Sequence, residues 1–343
     1  MSHNDRDEPR KRRRLGLLGP MVVLLLAAGG WSGGWFWLKG EVERRMDMAR
    51  AAWTGEGREL AWERRRIYGF PFRLDVDLAG VRMREPSGWA LAVPEIEAEA
   101  FVFAPTRWVA LAPQGVVFTR RSGGPVVVRA KVLRASLSEF AASPPRLSVE
   151  GIGLSFRAPR GANPYFITAA SQLHIHTRAG PADQGAVFFE LDKARARLGG
   201  LMGRIAGRRP VNITADLIYS HASALAGADW PSAVTAWASA GGAMTVRNIQ
   251  IAAGDAILNA RSGTLTVGDE GRLNGALTAT LREAPRALQA MGEAGTISPE
   301  AARTASAVIG AGGDRSGITV TVHFQAGRTT LGPAAIGPAP RLY

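Results

Sequence analysis

Two histidines separated by one residue are the most suggestive pair of chemical groups in this sequence. His174 and His176 lie in the run SQLHIHTRAG. Side chains alternate between the two faces of a β-strand, so both imidazoles would project from one face and could share a metal ion. His221 and His323 are distant in sequence, and no carboxylate has a complementary spacing. The pattern favours two exposed strand histidines, and we predict no metal-binding residue.

Three glutamates would line one face of another strand. Glu95, Glu97 and Glu99 alternate with apolar residues. Paired carboxylates can act as general acid and base or hold calcium. In glycosidases, however, the two carboxylates face each other across a cleft and come from different elements. We expect instead that these glutamates pair across strands with basic residues such as Arg129 and Lys131.

The remaining motifs do not indicate a reaction. Residues 30–34 match G-x-S-x-G, but that motif needs a strand before its serine, and Ser32 lies in a long uncharged run. Asn212-Ile213-Thr214 has the form of a glycosylation sequon. No P-loop, Rossmann fingerprint or H-E-x-x-H occurs, and the absence of cysteine excludes thiolate chemistry and disulfides. We therefore predict no catalytic or cofactor-binding residue and no enzymatic activity.

Composition indicates a folded protein with a basic surface. Hydrophobic residues make up 46% of the 343 residues and charged residues 21%, which argues against global disorder. The net charge of +13 would favour contact with anionic lipid or another polyanion. The arginines do not alternate with aromatic residues as in nucleic-acid interfaces, so neither nucleic acid nor nucleotide is a predicted partner.

The amino terminus predicts a membrane anchor. Residues 1–14 form a basic tail, and residues 15–38 are uncharged. At about 1.5 Å per residue, a helix of that length crosses the roughly 30 Å hydrocarbon core. The basic tail predicts a single-pass inner-membrane protein with a cytoplasmic amino terminus and a periplasmic carboxyl domain. The alternative is a signal peptide cleaved near Ala27–Gly30.

Tryptophans and an amphipathic segment follow the apolar core of this span. Trp31, Trp35 and Trp37 gather at its far end, where indoles favour the headgroup interface. Residues 39–58 predict a helical stalk, with Val42 and Met46 on one face. An amphipathic helix lying on the membrane surface is the alternative interpretation of this segment.

Residues 59–343 predict a single β-rich domain. A turn at Tyr68–Pro71 precedes strict alternation of apolar and polar residues from Phe72 to Leu78, which is typical of a half-buried strand. We expect residues 60–67 and 72–78 to form adjoining strands. Comparable alternation occurs at residues 89–102, 126–132, 147–156, 211–219 and 318–324.

This pattern predicts a mainly β fold, in which a large curved antiparallel sheet follows the transmembrane helix. An open groove, a half-barrel and a sandwich share the same alternation. Short covering helices are expected after Pro231, at Pro285–Gly292 and at Pro299–Gly310, where proline begins and glycine ends the segment. Residues 193–203 fit either a short helix or the end of a strand.

Three segments carry a resemblance to a known family. They are the Gly-Phe-Pro-Phe-Arg corner at residues 69–73, the block Ala256–Leu281, and a terminal hairpin with Leu331-Gly332-Pro333 and Gly337-Pro338. Together they resemble the DUF2125 family, uncharacterised envelope proteins of alphaproteobacteria. The block is also similar, more weakly, to AsmA-like and DUF945-like β-rich periplasmic proteins. The resemblance implies location and architecture, and no activity.

These observations lead to two functional hypotheses. The first is a non-enzymatic, inner-membrane-anchored periplasmic protein that binds lipid or another envelope component along an apolar groove of the sheet. The alternative is an envelope assembly or scaffold protein that acts through its membrane helix and stalk. Gly29, Gly30, Gly33 and Gly34 would permit close contact with a partner helix.

Overall fold

A computed structural model describes residues 15–55, 57–197, 206–254, 256–282, 318–331 and 334–343, with residue 203 and scattered positions between 288 and 307. A long amino-terminal helix precedes an 18-stranded antiparallel sheet, which confirms the mainly β fold. The predicted helices at Pro285–Gly292 and Pro299–Gly310 lie largely outside the described residues, as do residues 198–202.

Helix α1 spans Leu15–Trp53, 39 residues without a break, or about 58 Å. Its residues from Gly19 to Gly30 are exposed, with Leu24 at 69% and Leu26 at 71% of their full accessible surface. Among the described residues, α1 is the one helix long and apolar enough to cross a membrane. Near an amino terminus, such a helix serves as a membrane anchor or as a signal sequence.

The strands follow in chain order, with one further α-helix between β12 and β13. They are β1 (Glu59–Ala61), β2 (Arg64–Tyr68), β3 (Arg73–Arg84), β4 (Ala90–Phe101), β5 (Trp108–Leu111), β6 (Val116–Arg120), β7 (Gly124–Arg129), β8 (Val132–Ser138), β9 (Arg146–Arg157), β10 (Ile167–Ala179), β11 (Gly185–Ala196), β12 (Val211–Tyr219), α2 (Trp230–Ser239), β13 (Met244–Ala253), β14 (Ala256–Val267), β15 (Leu273–Arg282), β16 (Ile318–Gln325), β17 (Arg328–Leu331) and β18 (Ala334–Pro338).

Every pairing in the sheet is antiparallel, and from β9 to β18 each strand pairs with the next along the chain. The first half is more complex because short strands lie end to end. Strands β1 and β2 share the outer edge of β3, β5 and β6 share one edge of β4, and β7 and β8 share one edge of β9.

The alternation at residues 126–132, predicted as one strand, is divided between β7 and β8. The chain crosses there from one partner to another, since β7 pairs with β6 and β8 with β5. Both pair with β9, on either side of Gly153, whose φ is +63°. The backbone N–H of Lys131 donates to the carbonyl of Ile152 at 2.8 Å and bridges the break. Local periodicity does not encode this change of partner.

The corner at residues 69–73 joins β2 to β3, which confirms that these strands adjoin. The Phe70–Pro71 peptide is cis, and the backbone N–H of Arg73 donates to the carbonyl of Gly69 at 2.9 Å. Gly69 has a φ of +104°, and a Cβ atom there would lie 2.8 Å from the Arg73 carbonyl oxygen. The close turn therefore requires glycine.

Helix α1 is docked on the sheet through this corner. Trp35 is only 3% exposed, and its indole N–H donates to the carbonyl of Arg73 at 2.8 Å. Two turns of α1 beyond it, containing Val42 and Met46, pack on a cluster centred on Leu74. The helical face predicted from the spacing of Val42 and Met46 thus contacts protein. Trp37, in contrast, is 68% exposed.

A charged contact supplements this docking. The guanidinium of Arg65 in β2 donates to both carboxylate oxygens of Asp47 in α1, at 2.8 and 3.1 Å. Its hydrogen bonds hold the pKa of Asp47 below the usual value of 3.8. Both groups are accessible to solvent, so the pair adds little to stability and mainly fixes the orientation of α1.

Two larger apolar clusters lie among the described residues of the remaining sheet. One is centred on Val126, Leu154 and Leu191, with Phe118 and Tyr165 packed at its edge. The second is formed by residues of β13 to β16 together with Ala339, and its buried members are Val246, Ala260, Leu265, Leu277, Ala279, Val322, Phe324 and Ala339. The hydrophobic core therefore runs along the sheet in separate clusters.

Candidate functional site

Three tryptophans from distant parts of the sequence meet beside the turn between β3 and β4. Trp53, Trp89 and Trp230 line a cavity of about 470 Å³, which we call the tryptophan cavity. Small-molecule sites usually measure roughly 300–1,000 Å³. The other lining residues are Met83, Arg84, Glu85, Ala90, Leu91, Phe118 and Leu342.

Each tryptophan stands at or near the end of an element. Trp53 is the last residue of α1, Trp89 directly precedes β4, and Trp230 is the first residue of α2. The backbone N–H of Trp230 donates to Glu85 Oε2 at 3.1 Å, and its indole N–H donates to the carbonyl of Leu342. The cavity therefore lies where α2 and the carboxyl-terminal segment meet the first strands of the sheet.

A capping box fixes the end of α2 that carries Trp230. The Asp229 carboxylate accepts a hydrogen bond from the backbone N–H of Ser232 at 2.9 Å, and the Asp229 N–H donates to Ser232 Oγ at 3.0 Å. Hydrogen bonds from Ser232, first through its side chain and then its backbone, hold the pKa of Asp229 below 3.8. The buried Trp237 indole, which donates to the carbonyl of Ser220 at 2.7 Å, holds the rest of α2.

Buried donors without a partner occur in and beside the cavity. The indole N–H groups of Trp53 and Trp89 have no hydrogen-bond partner among the described residues, and the same is true of Arg58 Nε. The guanidinium of Arg58 lies 5.6 Å from the centre of the Trp53 ring. A buried donor left unsatisfied costs about 1–3 kcal/mol, so an acceptor atom brought there by a ligand would be stabilised.

The two candidate histidines lie on the same face of β10, as the alternation predicts. The ring centroids of His174 and His176 are 6.1 Å apart, and His176 stacks on Phe188 at 5.9 Å. Nδ1 of His176 lies 2.9 Å from Ser148 Oγ. No group of three or more histidine, aspartate or glutamate side chains within the described part of the chain could hold a metal ion.

The prediction that Glu95, Glu97 and Glu99 pair with Arg129 and Lys131 is wrong. Strand β4, which carries the glutamates, lies between β3 and the pair β5 and β6. Arg129 ends β7, which pairs with β6 and β9, and Lys131 lies between β7 and β8. The basic residues are thus separated from β4 by an intervening strand.

Two of the three glutamates face acidic residues on β3, and Glu95 faces Ala79. Glu97 lies directly across from Asp77, and Glu99 across from Asp75. Arg73 compensates at one end of the ladder, where its guanidinium donates to both Glu99 and Asp75 at 3.1 Å. Like charges directly opposite each other destabilise a sheet, so the Asp77–Glu97 pair is unfavourable, although Arg66 of β2 lies across from Asp77 on its other side.

The two remaining motif matches, G-x-S-x-G and the glycosylation sequon, lie in α1 and β12. Ser32 lies inside α1, which lacks the preceding strand of a nucleophile elbow. Asn212 is the second residue of β12 and accepts a hydrogen bond from the backbone N–H of Lys193 at 2.6 Å. Lys193 has a φ of +47° and lies within a register shift between β11 and β12, so Asn212 stabilises a β-bulge.

Sequence reasoning missed the tryptophan cavity. Trp53 was recognisable as the end of an amphipathic helix, and Trp89 and Trp230 as residues near the starts of elements. No local pattern indicates that the three converge, because their approach depends on how the whole sheet curves. The one available signal was the proximity of each tryptophan to an element boundary.

The chain was compared with known protein families, curated proteins and solved structures. The family model described as "Uncharacterized protein conserved in bacteria (DUF2125)" matches residues 35–340. No curated protein and no solved structure matches the chain. The matched region begins at the buried Trp35 and includes the corner, all 18 strands and most of the tryptophan cavity. Because the match covers most of the sequence, the protein belongs to the DUF2125 family.

Proposed function

We propose that the protein is a non-enzymatic component of the bacterial cell envelope that binds one acyl chain of a lipid in the tryptophan cavity. In this proposal, α1 anchors the chain in the inner membrane, the amino terminus is cytoplasmic, and the β-domain (residues 59–343) is periplasmic. The observation that carries the proposal is the convergence of three tryptophans on one cavity.

The location is supported by the charge and exposure of α1. A tail ending in Lys11 and Arg12–Arg14 precedes the apolar residues, as expected when the amino terminus stays in the cytoplasm. From Met21 to Leu26, α1 exposes its apolar side chains, while the second half of the helix packs on the sheet. A helix anchored to the β-domain in this way would be a structural part of the protein, which favours retention over cleavage.

The ligand class is supported by the cavity lining. Trp53, Trp89 and Trp230 supply large apolar surfaces with few accompanying polar groups. The volume suits a single chain or an aromatic group better than an entire diacyl lipid. Arg84 also lines the cavity, is exposed, and forms no ion pair among the described residues, so an anionic headgroup could lie beside it.

Photo-crosslinking in cells tests this assignment. Benzoylphenylalanine replaces Met83, which lines the cavity and is 38% exposed, or Val109, which lies in β5 and is 37% exposed. After irradiation, the mass of the full-length chain is measured. We expect an adduct with the mass of an acyl lipid at position 83 and none at position 109. Equal adducts at both positions, or none at 83, would contradict lipid binding in the cavity.

A second candidate is a scaffold role through the membrane helix. Gly29, Gly30, Gly33 and Gly34 have open space beside their Cα atoms, with no protein atom within 4 Å of a built Cβ. Small residues spaced four apart let a second helix approach closely in a bilayer. A protein-sized adduct at benzoylphenylalanine in place of Leu26, which is 71% exposed on α1, would favour this candidate.

A further inference from the structure

Four phenylalanines form an exposed apolar surface at the end of the sheet that carries the corner. They are Phe70, Phe72, Phe101 and Phe103, which we call the aromatic foot, and they are 51%, 61%, 51% and 72% exposed. Phe70 and Phe72 belong to the corner, Phe101 ends β4, and Phe103 lies in the loop that follows. An exposed apolar patch of this kind marks an interaction surface.

The aromatic foot contacts α1 at Trp31. The ring of Phe72 lies 6.0 Å from that of Trp31, whose indole N–H donates to the carbonyl of Pro71 at 2.9 Å. The backbone N–H of Val102 donates to the carbonyl of Phe72 at 3.0 Å and brings the second loop beside the first. The rings of Phe101 and Phe103 then stack at 5.1 Å.

The length of α1 places Trp31, and the aromatic foot that contacts it, within a bilayer. A hydrocarbon core of roughly 30 Å takes about 20 helical residues, so a span that begins at Leu15 ends near Gly34. Trp31 then lies about 4.5 Å inside the boundary, and Phe72 packs against it at the same depth. A tilt of α1 would lengthen the crossing segment and place the aromatic foot deeper.

We propose that the aromatic foot inserts into the periplasmic leaflet of the membrane that α1 spans, so that the β-domain is seated on the bilayer. This inference rests on the proposed anchoring by α1 and is independent of ligand binding in the tryptophan cavity. Phenyl rings are stable at the boundary between headgroups and acyl chains. Arg107, exposed and without an ion pair among the described residues, follows the second loop and would face lipid phosphates.

Depth-dependent quenching tests the inference, and the absence of native cysteine makes the labelling specific. Phe103→Cys and Phe101→Cys each receive an environment-sensitive nitrobenzoxadiazole label in the full-length chain. Two control positions are Leu24→Cys in the apolar half of α1 and Phe166→Cys, 51% exposed. Phe166 precedes β10 at the end of the sheet opposite to the aromatic foot.

The proteins are placed in nanodiscs with or without two brominated lipids, one brominated near the headgroup end of the acyl chain and one near its methyl end, because Leu24 lies near the bilayer midplane. We expect bromine to quench the labels at positions 101 and 103 at least about threefold more than the label at 166, with position 24 also quenched. Quenching at 24 but not at 101 or 103 would overturn the inference and leave the anchor intact. No quenching at 24 would overturn both, and blue-shifted emission at 103 that bromine does not quench would indicate a protein contact instead.

Discussion

Replacing Trp35 with alanine removes the side chain that joins α1 to the β-domain. The indole is 3% exposed, donates to the Arg73 carbonyl at 2.8 Å, and contacts the ring of Phe70 edge-on at 5.6 Å. Loss of a buried tryptophan costs about 3–5 kcal/mol, including the cavity that it leaves. Since each 1.4 kcal/mol is a factor of ten, the equilibrium for separating α1 from the sheet should shift by about two to three and a half orders of magnitude.

Two variants separate the contributions of packing and hydrogen bonding. Trp35→Phe keeps most of the ring but leaves the Arg73 carbonyl without the indole donor, and it should cost about 1 kcal/mol. Trp37→Ala changes a side chain that is 68% exposed and only two residues away. That substitution should alter stability by less than about 0.5 kcal/mol.

Hydrogen exchange of the full-length chain in nanodiscs measures the effect locally. Amides of β2 and β3, which form the docking surface for α1, should lose protection in Trp35→Ala, with a smaller loss in Trp35→Phe. Protection in β13 to β16 should stay unchanged. Equal loss in the Trp35→Ala and Trp37→Ala variants, or full protection in both, would refute the docking of α1 on the corner.

Substitutions at three acidic residues test the local electrostatics. Asp229→Ala should destabilise α2 by about 0.5–2 kcal/mol, whereas Asp229→Asn should retain most of the cap. The folded-state pKa of Asp229 is below 3.8, so its charge stabilises the fold above pH 3.8, and this contribution is lost as pH falls through the lowered pKa. Urea unfolding should detect this loss of stability in the parent protein and not in Asp229→Asn. Glu97→Lys places a cation opposite Asp77 and should raise the free energy of unfolding by about 0.2–1 kcal/mol in the same measurement. Glu99→Lys removes an ion pair with Arg73 and should lower the free energy of unfolding. A loss for Glu97→Lys would contradict the register of β3 and β4.

The distance between the aromatic foot and the tryptophan cavity has a functional consequence. Trp31 and Trp53 are 22 residues apart on one continuous helix, which is about 33 Å. If the foot is at the bilayer surface, the cavity lies well above it. An acyl chain bound there would have left the membrane, so the proposed function is to hold a lipid away from the bilayer, shielded by tryptophan.

Period-two alternation was enough to predict the antiparallel sheet and several of its strands, among them β3, β4, β9, β12 and β16, because one face of each of these strands is buried. It could not predict strand partners, and so the opposing Asp77 and Glu97 were missed. Trp35 and Trp37 look equivalent in sequence, yet one is buried and the other exposed. That difference depends on the position of the corner, which begins at Gly69, 34 residues after Trp35. The tryptophan cavity brings together residues that are still farther apart in the sequence.

The most direct measurement of the central claim is the side of the membrane on which each end of the mature chain lies. Single cysteines at Phe166 and Ser2 are treated with a membrane-impermeant maleimide in spheroplasts, and the labelled chain is weighed. We predict labelling of Cys at position 166 before lysis, labelling at position 2 only after lysis, and an intact mass near 36.4 kDa plus the label. Protection of position 166 in intact spheroplasts, or a mature chain that lacks the apolar residues of α1, would contradict the account.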